Sequence, residues 1–204
     1  MTPTPPLPKA RLEALTDGIF AVAMTLLVLD LHLPEPSSGG TLLDAFLRLV
    51  DRLDNYVISF AVLAVFWMGH LRVMRRVSEA DARFVTINLV FLFLVTLVPP
   101  FTTLLGDHPD LPRPAVLYGG NLLLMLGCEM LLWHRVCHRL ANKSLEDPAL
   151  TWRVVRKRYE AAMGVVLLGV AAAFVEIAIG ASTGLAAWVY LLLLGLGTMR
   201  PVPR

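Results

Sequence analysis

Arg11-Leu12-Glu13-Ala14-Leu15-Thr16-Asp17-Gly18 opens a run that continues from Ile19 to Leu33 with Thr25, Asp30 and His32 as its only polar interruptions. About 20 consecutive apolar residues suffice for a helix to cross the hydrocarbon core of a bilayer. The composition of the chain agrees with that reading. Of 204 residues, 56% are hydrophobic before any of the 14 glycines is counted, and 17% are charged. Soluble domains reach roughly 45–50% apolar with glycine included and about 25% charged. A water-soluble fold of this length needs more polar surface than these residues supply, and a disordered chain needs far fewer apolar ones.

Working outward, six runs read as membrane spans: 15–33, 56–74, 84–106, 115–137, 159–180 and 183–199. They predict an all-α membrane protein with one six-helix transmembrane domain over 1–204 and no room for a separate soluble domain. Between the first two spans, Leu42, Leu43, Phe46, Leu47 and Val50 recur at helical spacing with Asp44, Arg48 and Asp51 between them, which predicts a short amphipathic helix leading into the second span. The start, Met1 to Ala10, is proline-rich and lacks the apolar core and small-residue cleavage site of a removable signal peptide. Cys128 and Cys137 fall on one predicted helix, about 13.5 Å apart along its axis, too far to bridge, and read as small apolar fillers.

The basic residues orient the spans. With the amino terminus in the cytoplasm, 15 of the 18 lysines and arginines fall on the cytoplasmic side, and Arg48, Arg52 and Arg113 fall outside. Cytoplasmic loops are enriched in this way, and a wrong helix count scrambles the alternation. Both termini are therefore expected in the cytoplasm, in a multi-pass protein of the cell (inner) membrane. The net charge of +2, sorted by loop and not gathered in a patch, gives no reason to expect a nucleic-acid partner.

On a helical wheel Val22, Leu26, Leu29 and Leu33 lie within about 60° of one another, with Thr25 flanking them at about −60° from Val22. By periodicity alone such an aliphatic stripe reads as a lipid-facing or packing surface. Asp17 falls about 140° from Val22 and should point toward neighbouring helices. A carboxylate this close to lipid is either paired within the protein or seated among headgroups near the helix start. His70, closing the second span, and Asn88, one turn into the third, belong at the same depth as Asp17. The three form either one hydrogen-bonded layer or three separately wetted side chains.

At these residues the sequence resembles the prokaryotic members of the transmembrane protein 175 family of potassium channels. The family motif, R-x-x-x-F-S-D, stands here as Arg11-x-x-x-Leu15-Thr16-Asp17, with leucine for phenylalanine and threonine for serine. The likeness continues through Gly18 to Leu29, Phe66-Trp67-x-x-His70, Ile87 to Phe93, and Pro99-Pro100-Phe101-Thr102. The resemblance implies a six-helix subunit assembling with itself as a homotetramer in the lipid bilayer, the first helix of each subunit lining a central pore that conducts potassium ions. It implies a constriction of large aliphatic side chains at Val22, further apolar pore positions at Leu26 and Leu29, and a selectivity residue at Thr25. Arg11, Thr16, Asp17, His70 and Asn88 become a polar network between helices. The family lacks a Thr-Val-Gly-Tyr-Gly filter loop, and none occurs in this sequence. Rings of valine and leucine gate by dewetting, and threonine hydroxyls replace part of an ion's hydration shell. Asp30 and Glu35 at the outer end either concentrate cations or are ordinary solvated loop charges.

Two rival readings rest on other residues. His134 and His138 lie four apart, with Cys137 beside them and Glu129 earlier on the same helix, a spacing that can place two imidazoles on one metal. No His-Glu-x-x-His pattern accompanies them, and their interleaving with Arg135 and Arg139 reads more simply as an interfacial anchor. A proton-linked small-solute transporter would use Glu129, Glu176 or His70, but broken helices and repeated halves are not evident. The expectation is a passive potassium-preferring cation channel that is not an enzyme and needs no cofactor.

Overall fold

In a computed structural model the described residues are 9–29, 42–107, 112–141, 145 and 147–179, and they are helical almost throughout. Six α-helices follow in order: α1 (Lys9–Leu29), α2 (Leu42–Arg76), α3 (Ala82–Thr96), α4 (Val98–Asp107), α5 (Pro112–Arg135), which runs on into a π-turn (Val136–Leu140), and α6 (Pro148–Ile179). They supply five segments long and apolar enough to cross a membrane: Lys9–Leu29, Tyr56–Arg76, Ala82–Asp107, Arg113–Leu140 and Pro148–Glu176. The expected sixth span, 183–199, lies outside the described residues, as do Asp30, His32, Leu33 and Glu35.

Three boundaries differ from the sequence reading. The segment expected to form its own amphipathic helix is instead the first part of α2, which is continuous for 35 residues. With no proline or glycine between Leu42 and Tyr56, nothing in the chain interrupts the helix there. The third span is broken at Leu97 into α3 and α4, because Pro99 and Pro100 supply no backbone N–H and crowd the preceding turn. Around the break Leu97 N–H donates to the Leu94 carbonyl at 3.1 Å, and Asn121 Nδ2 of α5 donates to the same carbonyl at 3.1 Å. The fifth span begins eleven residues early, at Pro148, so the basic run Arg153 to Arg158 is helix and not loop. Asp147 caps it by accepting from Leu150 N–H at 2.9 Å, and proline at the first helical position costs no hydrogen bond.

One core cluster joins Phe20, Ala23 and Leu27 of α1 to Val62, Leu63 and Phe66 of α2, Phe91, Leu92 and Val95 of α3, and Tyr118, Leu122 and Met125 of α5. A second gathers Leu12, Val73, Met74, Phe84, Leu132, Trp133 and Val136 at the end of the bundle that carries the basic residues. At that end Val77 bridges to Ala141, Ser78 N–H donates to the Leu140 carbonyl at 3.1 Å, and Asp81, which caps α3 through Phe84 N–H at 2.8 Å, is ion-paired with Arg135. These ties fix the end of α2, the start of α3 and the end of α5 to one another. α1 lies against α2, α3 and α4, and α6 against α5.

Candidate functional site

α1 is covered by the bundle on one side and left open on the other. Leu12, Thr16, Phe20, Ala23 and Leu27, spaced three and four apart, are buried against the other helices. The opposite face is open: Leu15 is 44% exposed, Val22 56%, Leu26 42% and Leu29 61%, with Gly18 and Thr25 exposed among them. No other described helix covers this strip. Thr25 Oγ1 donates to the Val22 carbonyl at 2.9 Å. That bond occupies the hydroxyl proton and leaves oxygen lone pairs free on the open side.

The rotation of α1 about its axis is held by polar contacts at Thr16 and Asp17, toward the start of the helix. Trp67 Nε1 of α2 donates to Asp17 Oδ1 at 2.9 Å, and Asn88 Nδ2 of α3 donates to Thr16 Oγ1 at 3.4 Å. His70 is 1% exposed and lies flat on Phe91, ring centroids 5.2 Å apart and planes 10° from parallel, and among the described residues neither of its nitrogens finds a hydrogen-bond partner. The structure thus brings Thr16 to Asn88 and Asp17 to Trp67, with His70 beside Phe91 and Arg11 on the exposed side of the helix start. Depth in the sequence pointed to a layer of Asp17, His70 and Asn88. The azimuth about each helix decides the pairs, and it gives the inward position to Thr16. Trp67 stands in the Phe66-Trp67-x-x-His70 block, and an indole N–H usually finds a partner, but nothing in that block says which group on another helix it will be.

Two further polar clusters lie inside the bundle. Glu129 of α5 is 3% exposed and accepts from Tyr159 Oη of α6 at 2.8 Å through Oε2. A Cβ at Gly69 would stand 3.2 Å from both carboxylate oxygens, so the glycine lets the acid lie against α2. Thr102 Oγ1 donates to Ser59 Oγ at 2.8 Å, and Ser59 Oγ is 3.2 Å from Tyr118 Oη, which ties α2, α4 and α5. The Ser59–Thr102–Tyr118 cluster had no signal at the sequence level, since single hydroxyls in apolar spans fit many roles. Glu129 and Cys137 do not join the two histidines, because Glu129 faces Tyr159 and Cys137 is buried among Val73, Leu132 and Val136. Among the described residues no three histidines, cysteines or acids gather as a metal-holding group.

Comparison with known proteins gives these features a setting. A family model described as "Endosomal/lysosomal potassium channel TMEM175" matches residues 11–99, the stretch from Arg11 through the α3–α4 break. A potassium channel of Chamaesiphon minutus is 32% identical over 174 residues, covering 82% of this chain and 85% of the relative. A potassium channel of Streptomyces collinus is 33% identical over 156 residues, covering 73% and 74%. The crystal structure of a lysosomal potassium-selective channel TMEM175 homolog from Chamaesiphon minutus superposes with a TM-score of 0.74 at 28% identity, over 91% of this chain and 96% of that one. With its helices, its order of elements and most of its length shared with these channels, the chain belongs to the TMEM175 family, a family of multi-pass membrane ion channels and not of enzymes.

Proposed function

We propose that the chain is one of four identical subunits of a potassium-preferring cation channel, with the open strip of α1 facing a central axis. The observation that carries this reading is the strip itself, with Val22, Leu26 and Leu29 uncovered on a helix whose other face is docked and whose rotation is held through Asp17 and Thr16. Four copies of Val22 form the constriction, with Leu26 and Leu29 as further apolar rings. A narrow apolar tube expels water, and an ion cannot cross it dry. Four Thr25 hydroxyls, their protons turned back to the Val22 carbonyls, present oxygen to a cation that has lost part of its hydration shell. The same reading places six spans per subunit with both termini in the cytoplasm of a cell that carries the channel in its inner membrane, in line with the sorting of lysine and arginine. Potassium is the permeant ion and not a resident cofactor.

Liposomes loaded with potassium test the reading. Unaltered protein should dissipate a potassium gradient, and Val22→Ser or Leu29→Ser should raise the basal flux several-fold by wetting the tube. Folded, membrane-inserted protein without potassium flux, or serine variants that leave flux unchanged while the protein remains folded, would overturn the assignment of the strip to a pore.

A further inference from the structure

Beyond ion conduction, we propose that His134 and His138 form a two-imidazole site for a late first-row divalent metal ion, Cu²⁺ above all, at the end of α5. His134 sits in the last turn of α5 and His138 in the π-turn that follows, and both are exposed. Their ring centroids are 4.4 Å apart with planes 44° from parallel. That is not a stacking arrangement. A metal holding one nitrogen of each ring at about 2.0–2.1 Å, with the two bonds near a right angle, sets the centroids roughly 4.5 Å apart. The separation of the rings therefore matches that of a cis chelate. A right angle between ligand bonds suits the tetragonal geometry of Cu²⁺ and Ni²⁺, and Cu²⁺ binds nitrogen sites most tightly of the series.

The surroundings set the character of the site. Arg135, the basic residue between the two rings in sequence, is engaged by Asp81, which removes one charge that would oppose a dication. Among the described residues no third protein ligand of the usual kinds gathers there, and the ion is assigned two protein ligands. Such a site exchanges its metal readily. Trp152 of α6 packs edge-on against both rings, 5.0 Å from His134 and 6.1 Å from His138 between centroids. An ion bound to the pair lies close to that indole, at the side of α5 that faces α6.

The test uses tag-free, full-length protein in nanodiscs, titrated with Cu²⁺ while tryptophan emission is followed. Saturable quenching is expected, reversed by excess Zn²⁺. His134→Gln and His138→Gln should each raise the half-saturating concentration at least tenfold, and the double variant should bind no more weakly than either single one, because one lost arm already destroys the chelate. Trp152→Phe should remove most of the quenching while calorimetry still registers the ion. Single variants that titrate like the unaltered protein, or two small losses that multiply in the double variant, overturn the proposal. Both histidines are exposed, so thermal unfolding in the absence of metal should be unchanged in the variants. Weaker Cu²⁺ binding accompanied by a lowered metal-free unfolding temperature counts against a chelate and for a merely structural pair.

Discussion

Thr25 is exposed, and its hydroxyl proton is committed to the Val22 carbonyl one turn earlier. In the proposed pore this orientation makes the side chain an acceptor toward a cation. Thr25→Ala removes the oxygen and leaves the helix intact, since the Thr25–Val22 bond is additional to the backbone ladder. The expected outcome is a lower ratio of potassium to sodium flux in liposomes, with total flux retained. Thr25→Ser, which keeps the hydroxyl, should restore most of the ratio. At this scale the sequence was informative where angle alone mattered, as for Val22, Leu26 and Leu29 on one strip. It was less so where a partner mattered. Asp17 was legible as a carboxylate that needs company, but only the packing of α2 against α1 selects Trp67 as that company.

At the scale of elements, Asp81 carries two duties, capping α3 through Phe84 N–H and pairing with Arg135 at the end of α5. The two can be separated. Asp81→Ala loses both, while Asp81→Asn keeps an N-cap of nearly equal quality and loses only the charge. Asp81→Ala should cost about 1–2 kcal/mol in a denaturant titration of the detergent-solubilised protein, and Asp81→Asn less than about 1 kcal/mol, because the ion pair is partly exposed. Equal losses would mean that the ion pair and not the cap holds the α2–α3 corner. Pro99-Pro100 and Asp147-Pro148 both carry a chemical boundary signal, but the sequence reading ran the third span through the first pair and began the fifth span eleven residues after the second, taking charge for loop. Arg153, Arg156 and Lys157 sit on exposed faces of the first turns of α6, where long basic side chains reach water or headgroups while their backbone stays helical.

At the scale of the whole molecule, the open strip on α1 is one apolar surface among several. Leu167 and Leu168 on α6 are 56% and 65% exposed, as bare as Leu29 at 61%. Exposure therefore does not separate a pore-facing side chain from a lipid-facing one, and assembly does. In a background with Cys128→Ala and Cys137→Ala, Leu29→Cys should form disulfide-linked dimers on mild iodine oxidation in liposomes, because symmetry-related α1 helices approach one another around an axis. Leu168→Cys, on α6, which packs against α5, should stay monomeric under the same treatment. Crosslinking from Leu168→Cys with none from Leu29→Cys would turn the arrangement inside out.

The sequence by itself determined the solvent, the helical class and the azimuth of the strip on α1, because hydropathy, span length and the 3.6-residue repeat are local properties of one chain segment. Tertiary structure decided which polar groups meet: Trp67 with Asp17, Asn88 with Thr16, Tyr159 with Glu129, and Trp152 with the His134–His138 pair. Between helices those meetings depend on how each one is rotated and how deep it sits against its neighbours. Apolar side chains, alike in lipid and in the bundle, leave that choice to close packing and to the few hydrogen bonds that a dry interior makes costly to lose.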